Sequence, residues 1–223
     1  MASAVFRYGI ATGRCSSDPT ADLRGALKPA KGVKHHATLA AKDLPRFLGR
    51  LESYQGDLTK LAMELALLTF VRTAELRFAV WWEFDDLQGP NPIWRIPEDR
   101  MKMRKTHLVP LSRQAVSVLR RLRQLNAISP FLFPANTKRG VISENTLLFA
   151  LYRMGYKGRA TVHGFRSLAS TLLNEAQFNR DWIEMQLAHA DNSVRGVYNA
   201  AQWLPGRRKM LQWWADYIEN CRG

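Results

Sequence analysis

The chain has 223 residues, enough for one substantial domain and a short attachment, and 46% of them are hydrophobic, including 7 Trp and 10 Phe. A large core is therefore available, which argues against wholesale disorder. Lysine and arginine number 33 against 19 aspartate and glutamate, and the net charge of +14 attracts polyanions in a salt-dependent way. No apolar run is long enough to span a bilayer, the N-terminus lacks a signal-peptide core, and no long helix sets a basic face against an apolar one. No membrane partner is expected. Cys15 and Cys221 lie near opposite ends without metal-ligand spacing, which points to a reduced, cytoplasmic protein and away from zinc.

In chain order, residues 4–12 read as a short helix carrying Val5, Phe6, Ile10 and Ala11. From Gly13 the composition turns to Gly, Pro, Ser and Lys, through Asp18-Pro19 and Lys28-Pro29 to His35-His36, which is linker chemistry. The globular part begins near Leu39. Residues 42–53 form an amphipathic helix with Leu44, Phe47, Leu48 and Leu51 on one face. Residues 57–70, with Asp57 as the expected cap, are almost entirely apolar, as a buried central helix would be. A short helix follows at 73–79. Residues 93–97 and 107–111 have strand character on either side of a charged connection at 98–106. A helix capped by Ser112 is expected over 112–126, with Val116, Leu119, Leu122 and Leu125 inward. Further helices are expected at 143–154, 162–176, 180–188 and 203–219. The result is a mainly α domain with one small antiparallel β-sheet.

Three local patterns carry chemistry. In Thr69-Phe70-Val71-Arg72-Thr73-Ala74-Glu75, a buried helix ends at an arginine, and Glu75 stands where its carboxylate can hold the Arg72 guanidinium through paired hydrogen bonds. Read alone, this is an ordinary helix-end ion pair. In Thr161-Val162-His163-Gly164-Phe165-Arg166, Thr161 caps a helix whose first turns present His163 and Arg166 in one direction, beside a positive helix terminus that suits an anion. In the third, Leu187-Ala188-His189 is followed nine residues after the histidine by Tyr198, which has no apolar period around it, unlike Tyr152 inside a helix.

In order and spacing these patterns resemble the catalytic motifs of the tyrosine recombinase (phage integrase) family: an arginine, a β-hairpin lysine, HxxR, a histidine or tryptophan, and a tyrosine. The resemblance covers residues 40–223, and Met101-Lys102-Met103-Arg104-Lys105 looks most like prophage integrases of the P4 type. Phe6-Arg7-Tyr8 through Pro19-Thr20-Ala21-Asp22 is similar to the end of that group's core-binding domain and its linker. The implied organisation is a core-binding remnant at 1–14, a linker at 15–38 and a catalytic domain of the tyrosine recombinase fold at 39–223.

The resemblance implies that Arg72, His163, Arg166 and His189 surround a scissile phosphate, with Glu75 in support, while Tyr198 attacks it. Lys102 matches the hairpin lysine, and Lys105 is its alternative. On that basis the two arginines stabilise the negative charge that grows on the phosphate, and His163 takes the tyrosine proton. Lys102 protonates the departing 5′-oxygen, and His189 supports the phosphate and positions the tyrosine. The product is a 3′-phosphotyrosyl link made without a metal or other cofactor; Asp85-Asp86 reads as a turn or sheet-edge pair rather than a metal cluster. The implied partners are double-stranded attachment-site DNA, further copies of the chain as a homotetramer in synapsis from a free monomer, and DNA-bending accessory proteins. The biological setting is integration or excision of a mobile element.

The basic runs Arg120-Arg121-Leu122-Arg123 and Arg207-Arg208-Lys209 read either as contacts to backbone phosphates or as solvated helix faces. The stripe Leu211, Trp214, Ala215 and Ile218 reads either as ordinary core packing or as the segment that members of the resembled family dock on a neighbouring protomer, and docking is favoured because adjacent Trp213 and Trp214 cannot both face one core. Two alternative functions stay open: a type IB topoisomerase-like nicking and resealing enzyme, and a non-catalytic DNA-binding remnant.

Overall fold

A computed structural model describes residues 2–23, 37–102, 104–189 and 203–222. They fall into two units, Met1–His35 and His36–Gly223. In the first, the expected helix is α1 (Ala2–Ala11), and none of its residues is buried. The chain then doubles back: Arg14 N donates to the Gly9 carbonyl at 2.8 Å, while Ser3 and Thr20 hydroxyls each reach the Asp18 carboxylate at 2.6 Å.

The second unit is built around one helix. α2 (Leu44–Glu52) turns Leu44, Phe47, Leu48 and Leu51 inward, as its pattern requires. α3 (Asp57–Thr69) is buried at every residue from Leu61 to Thr69, and it packs against several of the helices that follow. Its cap differs from expectation. Gly56 occupies that position at φ 110°, and Asp57 is the first helical residue, where a carboxylate still favours the positive helix end.

α4 (Thr73–Arg77) leads into a three-stranded antiparallel sheet of β1 (Phe84–Asp85), β2 (Ile93–Ile96) and β3 (His107–Pro110), in the order β1-β2-β3. Ile96 pairs with His107 and Trp94 with Val109. β1 went unread because two residues show no alternation; Phe84 stacks on Trp94 with ring centroids 5.1 Å apart. Asp85 is on this edge strand and Asp86 is in the following turn, as expected.

α5 (Arg113–Leu125) is capped by Ser112, whose Oγ accepts from Ala115 N at 3.2 Å. Val116, Leu119 and Leu122 are buried as expected, but Leu125 is 54% exposed. It is the last helical residue, where the chain leaves the core, and Val118 fills the inner face instead. α6 (Thr146–Arg153) is followed by α7 (Val162–Glu175), capped by Thr161 as expected, and by α8 (Arg180–Gln186). No helix among the described residues is long and apolar enough to cross a membrane.

The last helix, α9 (Leu204–Asn220), corrects the docking expectation. Leu211, Trp214, Ala215 and Ile218 are all at most 2% exposed, inside the core of this same chain. Trp214 Nε1 donates to the Leu67 carbonyl of α3 at 2.9 Å. Consecutive helical side chains point in different directions, so Trp213 lies at the rim against Phe178 and Tyr217 while Trp214 is interior.

Candidate functional site

α3 stops at Phe70, a non-glycine residue in the left-handed region with φ 39° and ψ 34°. The reversal lifts Arg72 out of the core in extended conformation, at the start of α4. Glu75, 3% exposed, reaches back: one carboxylate oxygen accepts from the Arg72 guanidinium at 2.8 Å and the other from the Arg72 backbone N–H at 2.7 Å. The expected pair of bonds is thus divided. One fixes the guanidinium and the other fixes the chain that carries it.

Arg166 arrives from the second turn of α7 and is 4% exposed. Its Nη1 donates to the Phe70 carbonyl at 2.6 Å and its Nη2 to the Leu187 carbonyl. Arg72 Nη2 donates to the Ala188 carbonyl at 3.1 Å. Both guanidiniums therefore meet at the turn that ends α8. That turn holds Ala188 in the left-handed region at φ 47° and closes through His189 N to the Glu184 carbonyl at 3.1 Å. Left-handed Phe70 and Ala188 each cost on the order of 1 kcal/mol or more, which the surrounding bonds must sustain. Burial first, then the neighbouring Arg72, lower the Arg166 guanidinium to about 10, and Glu75 opposes them. Two cations beside one carboxylate leave a net positive charge suited to an anion.

His189 is exposed, and its Nδ1 bonds the Glu184 carboxylate at 2.7 Å, so Nε2 takes no part in that bond. His163 is exposed on the first turn of α7, one turn before Arg166. The glycine between them has a steric reason. A Cβ on Gly164 would lie 2.3 Å from the Ala37 carbonyl oxygen, because the chain entering this unit crosses the first turn of α7. Thr161 N donates to that same carbonyl at 3.0 Å.

Lys102 and Lys105 are both exposed on the connection between β2 and β3. Arg100, on the 3-10 turn Glu98–Arg100, bonds the Glu83 carboxylate and the Glu75 carbonyl, tying the root of this connection to α4. The described residues thus bring together Arg72, Glu75, Arg166 and the turn bearing His189, with His163 on the helix of Arg166. They show no bond between either lysine and that group. Tyr198 lies outside the described residues.

Sequence reasoning missed several buried polar groups. His107 on β3 is 5% exposed; burial, then Arg207, Arg166 and Arg72, push its pKa down to about 3, and its Nε2 has no hydrogen-bond partner among the described residues. Arg207 belongs to a run read as surface, yet it is 1% exposed and donates to the Leu108 carbonyl at 2.7 Å and to the Gln186 side-chain oxygen. Its place one turn before Met210 and Leu211 on the apolar stripe was the available signal. Arg208 is also engaged, with the Pro92 carbonyl at 2.8 Å. In the other basic run, Arg121 pairs with Glu64 at 3.5 Å and Arg123 lies over Trp81.

Residues 37–203 match the family model described as "Phage integrase family". The integrase of Enterobacteria phage P4 is 42% identical over 241 residues, covering 99% of this chain and 54% of that protein. Prophage integrase IntS of Escherichia coli (strain K12) is 41% identical over 220 residues, covering 97% of this chain and 56% of that protein. The chain spans about half the length of these curated relatives. Among solved structures, a lambda integrase dimer bound to a COC′ core site matches with a TM-score of 0.61 at 21% identity, over 92% of this chain and 57% of that one. The integrase from mycobacterium phage Brujita matches with a TM-score of 0.61 at 17% identity, over 97% of this chain and 74% of that one. These likenesses agree on a mainly helical fold with a small antiparallel sheet, and the family match spans the segment that carries Arg72, Arg166 and His189. The chain belongs to the phage integrase family.

Proposed function

We propose that the chain is the catalytic part of a site-specific DNA recombinase, acting in the cytoplasm on double-stranded attachment-site DNA to integrate or excise a mobile element. The observation that carries this reading is the convergence of Arg72 and Arg166 on the 187–188 turn, with the Glu75 carboxylate paired to Arg72. A phosphodiester supplies the missing negative charge, and the donors not engaged with carbonyls face its non-bridging oxygens.

In this reading the Tyr198 oxygen attacks phosphorus and His163 accepts its proton. The bond from phosphorus to the 5′-oxygen breaks, and Lys102, or Lys105 in its place, protonates that oxygen. A 3′-phosphotyrosyl link results, and one phosphodiester has been exchanged for another at little net cost. A 5′-hydroxyl from another strand reverses the step and releases the tyrosine. His189, oriented by Glu184, presents Nε2 to the phosphate. Strand exchange requires four copies of the chain around two duplexes, and bending proteins assist where the DNA must be folded. Residues 1–14 are the end of a core-binding domain and 15–38 a linker; the division of the chain at His35 and His36 agrees with this.

The test is covalent trapping on a nicked suicide duplex carrying the sequence at which the element joins its host DNA. The wild-type chain accumulates an adduct and Tyr198→Phe forms none while still binding the duplex. An adduct with Tyr198→Phe sinks the assignment of the nucleophile. Relaxed plasmid without recombinant joints selects the topoisomerase-like outcome, and binding without any adduct selects the non-catalytic one.

A further inference from the structure

Arg207 is a buried cation in an unusual setting. The residue is 1% exposed, and no ion pair among the described residues engages it. Its Nε has no hydrogen-bond partner there either. Burying an unpaired charge is costly, and a methionine or leucine would fill the same volume without that cost. Packing alone therefore does not account for an arginine at this position.

What the guanidinium does is join elements. Its Nη2 donates to the Leu108 carbonyl at 2.7 Å and to the Gln186 side-chain oxygen. Gln186 is itself fully buried, and its side-chain nitrogen donates to the Thr69 carbonyl at 3.0 Å. Each contact stands close in sequence to a proposed site residue. Thr69 ends the helix three residues before Arg72, Gln186 ends the helix three before His189, and Leu108 is on the strand six after Lys102. Arg207 itself lies nine residues after Tyr198, on the helix that follows it. The His107 imidazole, next to Leu108, has its pKa lowered by burial and by Arg207, Arg166 and Arg72.

We infer that Arg207 is a positioning residue for strand cleavage: through Leu108 and Gln186 it fixes α9, the helix that follows Tyr198 in sequence, against β3, the end of α8 that leads to His189 and the end of α3 that leads to Arg72. The inference rests on the recombinase reading above. Both bonds leave the one nitrogen Nη2, and an ammonium has protons enough for two acceptors, but the shorter lysine stem does not carry it as far as the Leu108 carbonyl and the Gln186 oxygen without shifting the elements that bear them. The role is therefore specific to arginine and not only to positive charge.

The experiment compares wild type, Arg207→Met, Arg207→Lys, Gln186→Leu, the Arg207→Lys/Gln186→Leu double variant and Tyr198→Phe on the nicked suicide duplex. Single-turnover adduct formation is measured at saturating DNA, and duplex affinity separately. The expected result for Arg207→Met is a chemical step slower by on the order of 100-fold with affinity within about threefold of wild type. Arg207→Lys falls about tenfold. Its loss and that of Gln186→Leu are less than multiplicative when combined, since both cut the same link. Circular dichroism and a cooperative melt establish which variants fold; if Arg207→Met does not, Arg207→Lys decides.

A folded Arg207→Met or Arg207→Lys protein that cleaves at the wild-type rate overturns the inference. So does a loss confined to duplex affinity, which assigns Arg207 to binding. An adduct with wild type that is absent from Tyr198→Phe keeps the recombinase reading standing through either of those failures. Absence of any wild-type adduct removes the reading and this inference together.

Discussion

Arg166 and Phe70 are 96 positions apart in the chain, and the guanidinium of one donates to the backbone carbonyl of the other at 2.6 Å. Phe70 is the left-handed residue that ends the central helix, so the arginine holds the same backbone reversal that presents Arg72. A second bond from Arg166 fixes Leu187, two residues before His189. One buried side chain thereby sets the relative placement of three segments of the site, and its remaining donors are aimed by those bonds.

Arg166→Lys tests that arrangement. Lysine keeps the charge but cannot satisfy both carbonyls and still offer a planar pair of donors to a phosphate. Adduct formation is expected to slow by on the order of 10²–10³-fold, the loss typical of one charge-stabilising donor pair. The urea midpoint should fall as well, because an unsatisfied buried carbonyl costs about 1–3 kcal/mol. Cleavage at the wild-type rate would remove Arg166 from the proposed phosphate clamp.

Glu75→Gln separates the two tasks of that carboxylate. The amide can accept from the backbone N–H or from the guanidinium of Arg72, but its nitrogen then opposes the other donor. It also removes the negative charge that offsets the effect of Arg72 on Arg166. We expect a loss of about 1–3 kcal/mol in urea unfolding, below the usual 3–5 kcal/mol for a broken buried pair because the Arg72 side chain keeps 26% exposure. Cleavage should fall further than duplex binding does, and equal losses in the two would contradict a role in orienting Arg72.

His107 makes stability depend on pH. Its folded pKa of about 3 lies below the ordinary value of 6.5, driven by burial and by Arg207, Arg166 and Arg72. Between those values the unfolded chain binds a proton that the folded chain refuses, so the stability present above pH 6.5 is lost as the pH falls. From pH 7 to pH 5 this amounts to about 2 kcal/mol, read as a lower urea midpoint. His107→Gln carries no such proton, and its midpoint should change less over the same interval. An identical pH dependence in the two proteins would show that other groups cause it.

The helices that build the core were legible from apolar positions that repeat with the helical period, as at Leu44, Phe47, Leu48 and Leu51, or from a cap, as at Thr161. Arg72, Arg166 and His189 were legible as local patterns in one order. What joins them was not. The bonds of Arg166 to Phe70 and Leu187, and of Gln186 to Thr69, connect side chains to carbonyls across long sequence separations, and any residue can supply a carbonyl. Arg207 was misread for a related reason: a basic triplet gives a surface signal, while burial depends on the helix face, which places Arg207 with Met210, Leu211 and Trp214. Trp214 was misassigned to a partner because adjacency to Trp213 was weighed above the roughly 100° between neighbouring helical positions.

Gly164 offers a test of how the entering chain is seated. Its missing Cβ would lie 2.3 Å from the Ala37 carbonyl oxygen and 3.0 Å from Thr38 Cα, both backbone atoms that cannot rotate away. The same Ala37 oxygen accepts from Thr161 N, so displacing it also breaks the bond that fastens residue 37 to the start of α7. Gly164→Ala favours helix by intrinsic propensity, by about 1 kcal/mol, whereas the clash costs about 1–3 kcal/mol. The lost hydrogen bond at Thr161 adds about 1 kcal/mol to that cost. Net destabilisation is therefore expected in urea unfolding. Because His163 and Arg166 leave the same two turns, cleavage should decline with it. A more stable Gly164→Ala protein would mean that residues 37 and 38 move off α7 at little cost and that their seat on the helix is loose.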